Sequence, residues 1–339
     1  MRALLIGGTG TISSAITRLL VEKGWEVTLI NRGHRNDELP QGVELLVADM
    51  NNEDEVRELL EGRHFDTVAE FIAFVPEQVE RDIRLFTGMT DQYIFISSAS
   101  AYAKPNRDYR ITEGTTLANP YWQYSRNKIA CERVLMDAYR NDGFPVTIVR
   151  PSHTYDERNV PIGVDGSQGS WQVLQRMKQG KPVIVQGDGT SLWTVTFNKD
   201  FAVGFVGLMG NIHALGEAVH ITSDESLSWN QIYEAVGRAL GVKPVLYHVS
   251  ADFLASVAPY DYQGSLIGDK SVSVVFDNSK IKRLVPEFKC TTRFDEGARI
   301  CVDYMMSHPQ CQKEDPEFDA WCDRVIARLE AAKKAVQAH

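Results

Sequence analysis

Residues 2–14 read Arg2-Ala3-Leu4-Leu5-Ile6-Gly7-Gly8-Thr9-Gly10-Thr11-Ile12-Ser13-Ser14. An apolar run of strand length meets a glycine-rich turn, and Ile16, Leu19, Leu20 and Val21 then recur at helical spacing. This order puts the first turn of a helix, with its N–H groups and positive dipole end, just past the carboxyl end of a strand. Such a terminus attracts an anion. Gly7 permits the tight turn and Gly10 lets backbone approach a pyrophosphate, so the stretch fits a dinucleotide-binding fingerprint. Ser13 stands where the strict pattern has a third glycine; it is small enough for close helix–strand packing. An ordinary glycine turn is the plainer alternative, and the pattern that follows weighs against it.

Further apolar runs recur at residues 3–6, 26–30, 44–47, 67–72, 93–96 and 146–149, with helical patterns between them. Strands alternating with helices predict an α/β fold, a doubly wound parallel sheet with helices on both faces. Ligands of such sheets bind at the carboxyl ends of the strands. Those ends carry Gly7, Gly10, Thr11 and Ile12, then Asn31, Arg32 and Arg35, then Asp49 and Met50, then residues 71–74 with Phe71 and Ala73, and finally residues 97–100. After Arg150-Pro151 the chain turns rich in Gly, Pro and polar residues. A helix near 200–209 and a strand near 218–222 read as a return to the first domain. The expected division is residues 1–153 plus about 196–223 for nucleotide binding and 154–195 plus about 224–300 for a smaller substrate lobe. Residues 301–339 read as a helical C-terminal segment.

Composition bounds the function. Of 339 residues, 43% are hydrophobic and 24% charged, as in a soluble globular protein with a substantial core. A net charge of −9 argues against a nucleic-acid partner. No apolar run reaches membrane-spanning length, and a strand directly after Arg2 leaves no room for a signal peptide, so a cytoplasmic location is expected. The cysteines (Cys131, Cys290, Cys301, Cys311 and Cys322) are odd in number and lack a Cys-x-x-Cys pair, which reads as reduced thiols. The histidines show no ligand spacing, so no metal is expected.

Tyr124-Ser125-Arg126-Asn127-Lys128 opens 26 residues after Ser98, which closes the run Tyr93-Ile94-Phe95-Ile96-Ser97-Ser98. On a helix a Tyr and a Lys four positions apart share one face. A phenol has a reference pKa of roughly 10, and a nearby ammonium favours the phenolate, so the pair can exchange protons near neutrality. By itself Tyr-x-x-x-Lys is common; beside a dinucleotide turn it gains weight.

With these elements in place the chain resembles the extended short-chain dehydrogenases/reductases, the NAD-dependent epimerase/dehydratase family, over roughly residues 1–300. The resemblance rests on Gly7-Gly8-Thr9-Gly10, Ser98 within Ser97-Ser98-Ala99-Ser100-Ala101-Tyr102, Thr112-Glu113 with Asn119-Pro120, and Tyr124-x-x-x-Lys128. It rests also on Arg150-Pro151, Gly187-Asp188-Gly189 and Asn278-Ser279-Lys280-Ile281. It implies a Rossmann-type domain with a smaller C-terminal substrate lobe, an NAD(P) cofactor and a dimer through paired helices. It further implies that Ser98 donates to the reacting oxygen, Tyr124 moves its proton, and Lys128 binds the nicotinamide ribose while lowering the phenol's pKa.

Three departures narrow the expectation. The second strand ends Ile30-Asn31-Arg32-Gly33-His34-Arg35, with arginines where an NAD site usually carries a carboxylate, and this favours NADP over NAD. Ser98 is followed by Ala99-Ser100 instead of the acidic pair of the family's 4,6-dehydratases, which disfavours dehydration. Trp193 stands in the region where nucleotide-sugar members carry a diphosphate-gripping Arg; an indole either stacks on a sugar face or packs in the core. His153, where relatives often have Asn, is either a substrate contact or a structural histidine. Ser100, His153 and Trp193 are therefore the expected substrate-side residues. The leading reading is an NAD(P)-dependent epimerase or reductase of a sugar-like small molecule. The alternative is a non-catalytic nucleotide- or RNA-binding member of the same fold.

Overall fold

The computed structural model describes residues 1–33 and 39–338. They group into two compact units: Met1–Thr154, Thr196–Asp224 and Phe276–Thr291 form the first, and Tyr155–Val195, Glu225–Val275 and the chain from Thr292 onward form the second.

In the first unit, Arg2–Ile6 (β1), Glu26–Asn31 (β2), Glu44–Val47 (β3), Thr67–Glu70 (β4), Tyr93–Ile96 (β5), Val146–Pro151 (β6) and Ala218–Ile221 (β7) make one sheet. Its order is β7-β6-β5-β4-β1-β2-β3, and each neighbouring pair is parallel. The order reverses between β1 and β4, which opens a crevice at their carboxyl ends. The helices here are Ser13–Glu22 (α1), Glu53–Leu59 (α2), Pro76–Phe86 (α3), Gln123–Asp142 (α4), Asn198–Leu208 (α5) and Ser279–Leu284 (α6).

The two-residue period of a strand explains how one short run serves two cores. Ala3 and Leu5 of β1 pack on one face with Ile16 and Leu20 of α1, Phe201 and Phe205 of α5, and Ile281 of α6. Leu4 and Ile6 point the other way, among Val56 of α2, Val79 and Leu85 of α3, and Cys131 and Leu135 of α4. All of these residues are buried, so the continuous apolar runs in the sequence reflect a sheet covered on both faces.

Two expectations need adjustment. The fourth strand stops at Glu70, not near residue 72, because the Glu70 carboxyl takes the N–H groups of Ile72 and Ala73 and turns the chain away from the ladder. Phe276–Thr291, expected in the substrate lobe, groups with the first unit. Asn278 donates to the Thr222 carbonyl at 2.9 Å and accepts from the Thr222 hydroxyl at 2.9 Å, while Ile281, Val285 and Phe288 enter the core beside α5.

In the second unit Pro182–Gln186 pairs in parallel with Val245–Val249. The helix Trp229–Ala239 starts at Ser228, whose hydroxyl accepts from Gln231 N while the Gln231 side chain accepts from Ser228 N. The terminal helix Pro316–Gln337 buries Phe318, Trp321, Cys322 and Val325, so its first half is part of this unit and not a separate segment. Among the described residues no helix is long and apolar enough to cross a membrane.

The glycine turn is sterically tight. Gly8 has φ +66°, and a Cβ there would lie 2.5 Å from Leu29 Cδ2. Gly8→Ala should therefore lower unfolding stability by about 1–3 kcal/mol through left-handed strain and the clash, read as a lower urea midpoint. An unchanged midpoint would show that the turn relaxes.

Candidate active site

A cleft of ≈ 750 Å³ opens at the carboxyl ends of β1 to β4. Gly7, Gly10, Thr11, Ile12, Asn31, Arg32, Asp49, Met50 and Phe71 all line it; Arg35 lies outside the described residues. Ile72 and Phe74, within the expected 71–74 segment, line it as well, and so do Asn51, Gln78 and Arg81, which sequence reasoning did not single out. Its volume suits a small-molecule ligand. Ser13 is more than a small filler: its Oγ accepts Gly10 N at 2.9 Å, and Thr17 Oγ donates to Gly8 O at 2.9 Å, so side chains of α1 set the turn.

The three expected catalytic residues sit on two elements. Ser98 follows β5 and caps a short 3₁₀ turn, Ala99–Ala101, its Oγ accepting Ser100 N at 3.1 Å. Tyr124 and Lys128 lie in the first turns of α4. Asn119 prepares that helix start: its side chain accepts from Tyr121 N and Trp122 N and donates to Ser100 O at 2.8 Å. Tyr124 packs its ring near Trp122 at 4.9 Å and Phe74 at 6.3 Å.

Helix α4 is pinned to the end of β5 by three polar residues at spacings of three and four. Ser125 Oγ donates to Ser100 Oγ at 2.7 Å. Lys128 Nζ donates to Ala73 O and Ile96 O, each at 2.7 Å. Glu132 accepts from Ser97 and from the Arg150 guanidinium, at 2.9 Å from Nε and 2.6 Å from Nη2. Ser125 and Glu132 went unrecognised in the sequence. The signal was present as a polar stripe on the same face as the buried Cys131 and Leu135.

Ser100, expected at the substrate, is 4% exposed. The 3₁₀ turn directs it inward, where its Oγ bonds Ser98 and Ser125, so it holds the site together from behind. His153 is half-buried in the first unit. Trp193, in the second, is 2% exposed and stacks on Trp229 at 5.6 Å, which favours the packing alternative for it. Ala73 is buried and serves through its backbone carbonyl.

Lys128 is 1% exposed, and burial lowers its pKa from 10.5 to about 8. Its Nζ also lies 4.6 Å from the Phe74 ring centroid, 4.7 Å from Phe95 and 5.8 Å from Tyr124. Between pH 8 and 10.5 the unfolded chain holds a proton here that the folded chain has released, so folding becomes more favourable as pH rises through that window. Below pH 8 the full penalty, about 3 kcal/mol, is present. Denaturation of wild type and Lys128→Met without nucleotide should show the wild type gaining on the variant between pH 8 and 10.5. Parallel curves would contradict this placement of the ammonium.

Comparison with known proteins agrees with this geometry. Residues 3–221 match the model of the NAD dependent epimerase/dehydratase family. The 2′-dehydrokanamycin reductase of Streptomyces kanamyceticus is 25% identical over 350 residues, covering 99% of this chain and 92% of that protein. The chloroplast stem-loop binding protein of 41 kDa b from Arabidopsis thaliana is 26% identical over 262 residues, covering 73% of this chain and 65% of its own length. The UDP-glucuronic acid 4-epimerase of Bacillus cereus, solved with UDP-glucuronic acid and NAD, shares the fold with a TM-score of 0.72 at 19% identity, over 91% of this chain and 99% of that one. With a cleft at the switch point and a family match over well over half its length, the chain belongs to the NAD dependent epimerase/dehydratase family, enzymes of the extended short-chain dehydrogenase/reductase type.

Proposed function

We propose that this protein is an NAD(P)-dependent reductase or epimerase acting on a hydroxyl or keto group of a sugar-like small molecule. The observation that carries the reading is Lys128, a buried ammonium fixed between the Ala73 and Ile96 carbonyls, one helical turn from Tyr124 and against the Phe74 ring of the cleft. Gly7, Gly10, Thr11 and Ile12 would receive the pyrophosphate at the start of α1, with Asn31, Arg32, Asp49 and Met50 around the adenosine half. Phe71 and Ala73 lie toward the other end. When bound, the nicotinamide supplies hydride exchange.

The protein's own groups handle the proton. Ser98 donates a hydrogen bond to the reacting oxygen, Tyr124 takes or returns that oxygen's proton, and the Lys128 charge favours the phenolate while its remaining N–H reaches toward the ribose. The Ser125–Ser100–Ser98 hydroxyl chain orients the donor from behind. Net dehydration is disfavoured because Ala99 and Ser100 follow Ser98 and supply no acid. With no Arg shortly after Gly187-Asp188-Gly189, a substrate lacking a diphosphate carrier is favoured, in keeping with the 2′-dehydrokanamycin reductase among the relatives. Arg32, without a carboxylate in Ile30-Asn31-Arg32-Gly33, supports NADP over NAD. The stem-loop binding relative supports a second reading, a nucleic-acid-binding member without redox chemistry.

Titration with NADPH and NADH should give saturable binding, tighter for NADPH, and absence of binding to both would remove the redox reading. Arg32→Asp should shift the preference toward NADH; an unchanged ratio would place Arg32 away from a 2′-phosphate. Tyr124→Phe should lower kcat by about 10²–10⁴ with little change in nucleotide affinity, since only the titrating oxygen is lost. Salt-sensitive retention of RNA, undiminished in Tyr124→Phe, would favour the second reading.

A further inference from the structure

Strand β4 ends in Glu70, a fully buried carboxyl that the proposed chemistry does not use. Its Oε1 accepts the N–H groups of Ile72 and Ala73, the latter at 2.8 Å. The Ala73 carbonyl accepts Lys128 Nζ, so one carboxyl oxygen fixes the peptide that holds the ammonium. The other oxygen lies 4.0 Å from the Arg81 guanidinium and faces the Asp82 carboxyl. Asp82 is buried as completely; it accepts Tyr93 Oη at 2.7 Å and Arg81 at 2.9 Å from Nε and 2.7 Å from Nη2. Arg81 reaches the cleft beside Asn51, and Phe71, Ile72 and Phe74 line the same cleft.

We infer that Glu70 is a positioning residue for this site: as a neutral carboxylic acid bonded to Asp82, it fixes the 71–74 turn and, through the Ala73 carbonyl, the Lys128 ammonium. The inference rests on the reading of Lys128 and the cleft given above. Burial and the facing Asp82 carboxyl give its protonation state. Both carboxyls are fully buried and face each other, so a second negative charge there is disfavoured, and one proton shared between them removes it. Asp82 receives the Arg81 fork and the Tyr93 hydroxyl, all donors that favour its charged form, so the proton resides on Glu70.

Burial, and then the charge of Asp82, push the Glu70 carboxyl well above the usual range. The titratable groups around it are Arg81 and Asp82 of α3, Tyr93 of β5 and Lys128 of α4. Neutrality has a consequence for the reaction. An ionised Glu70 would offset the field of Lys128; a neutral one holds the turn and leaves that field to act at Tyr124.

Glu70→Gln keeps an acceptor for the turn and a donor for Asp82, while Glu70→Leu keeps neither. Without nucleotide at neutral pH, the wild type should show an infrared carbonyl band of a protonated carboxylic acid that Glu70→Gln loses; no such difference band would overturn the neutral assignment. Amide exchange of Ile72 and Ala73 should accelerate about tenfold in Glu70→Leu and stay near wild type in Glu70→Gln. Equal exchange in all three proteins would overturn the positioning role. In NADPH titrations Glu70→Leu should bind about tenfold more weakly, with Glu70→Gln keeping wild-type affinity and pH profile. Equal affinity in the Leu variant would defeat the inference, whereas a wild type that does not bind would defeat the nucleotide reading itself.

Discussion

An ammonium without water around it must find acceptors in the protein, and Lys128 finds the Ala73 and Ile96 carbonyls. Ile96 ends β5 and Ala73 lies just beyond β4, so one side chain on α4 ties together the exits of two neighbouring strands. This fixes how far α4 slides along the sheet, and therefore where Tyr124 stands one turn earlier. The rings of Phe74 and Phe95 close over the same nitrogen and connect it to the cleft.

The neighbours of Lys128 make that arrangement rigid. Ser125 one turn before and Glu132 one turn after grip the segment from Ser97 to Ser100, and Arg150 at the end of β6 closes the Glu132 ion pair. The pair is almost completely buried, 6% and 4% exposed, so removing either partner would strand a charge; its value is in fixing register more than in net stability. Ser98, Tyr124 and Lys128, contributed by two elements, thus have their places set by a network of hydrogen bonds within the protein. Preorganisation of this kind is what acid–base chemistry requires, because a displacement of an ångström at the reacting oxygen costs rate steeply.

Much of the first unit could be read from residue patterns. All six strands expected at residues 3–6, 26–30, 44–47, 93–96, 146–149 and 67–72 match to within two residues at either end, because short apolar runs bounded by turn residues are local signals. The sixth ran past Glu70, since nothing local says that a strand-end carboxylate will bond the next two N–H groups. Substrate-side residues were harder. Ser100 and Trp193 are polar or amphipathic residues in functional-looking places, and both are buried; whether such a side chain faces a ligand or the interior depends on what packs behind it.

The chain alone determined the α/β class and the glycine turn and raised the expectation for Ser98, Tyr124 and Lys128, because strand and helix spacing and short motifs require no knowledge of distant segments. Folding in three dimensions decided the rest. It joined Phe276–Thr291 to the first unit, turned Ser100 inward, and set Glu70, Asp82 and Arg81 side by side beneath the cleft. Those outcomes depend on contacts between residues far apart in sequence and on the charge balance of buried groups, and no local pattern encodes either.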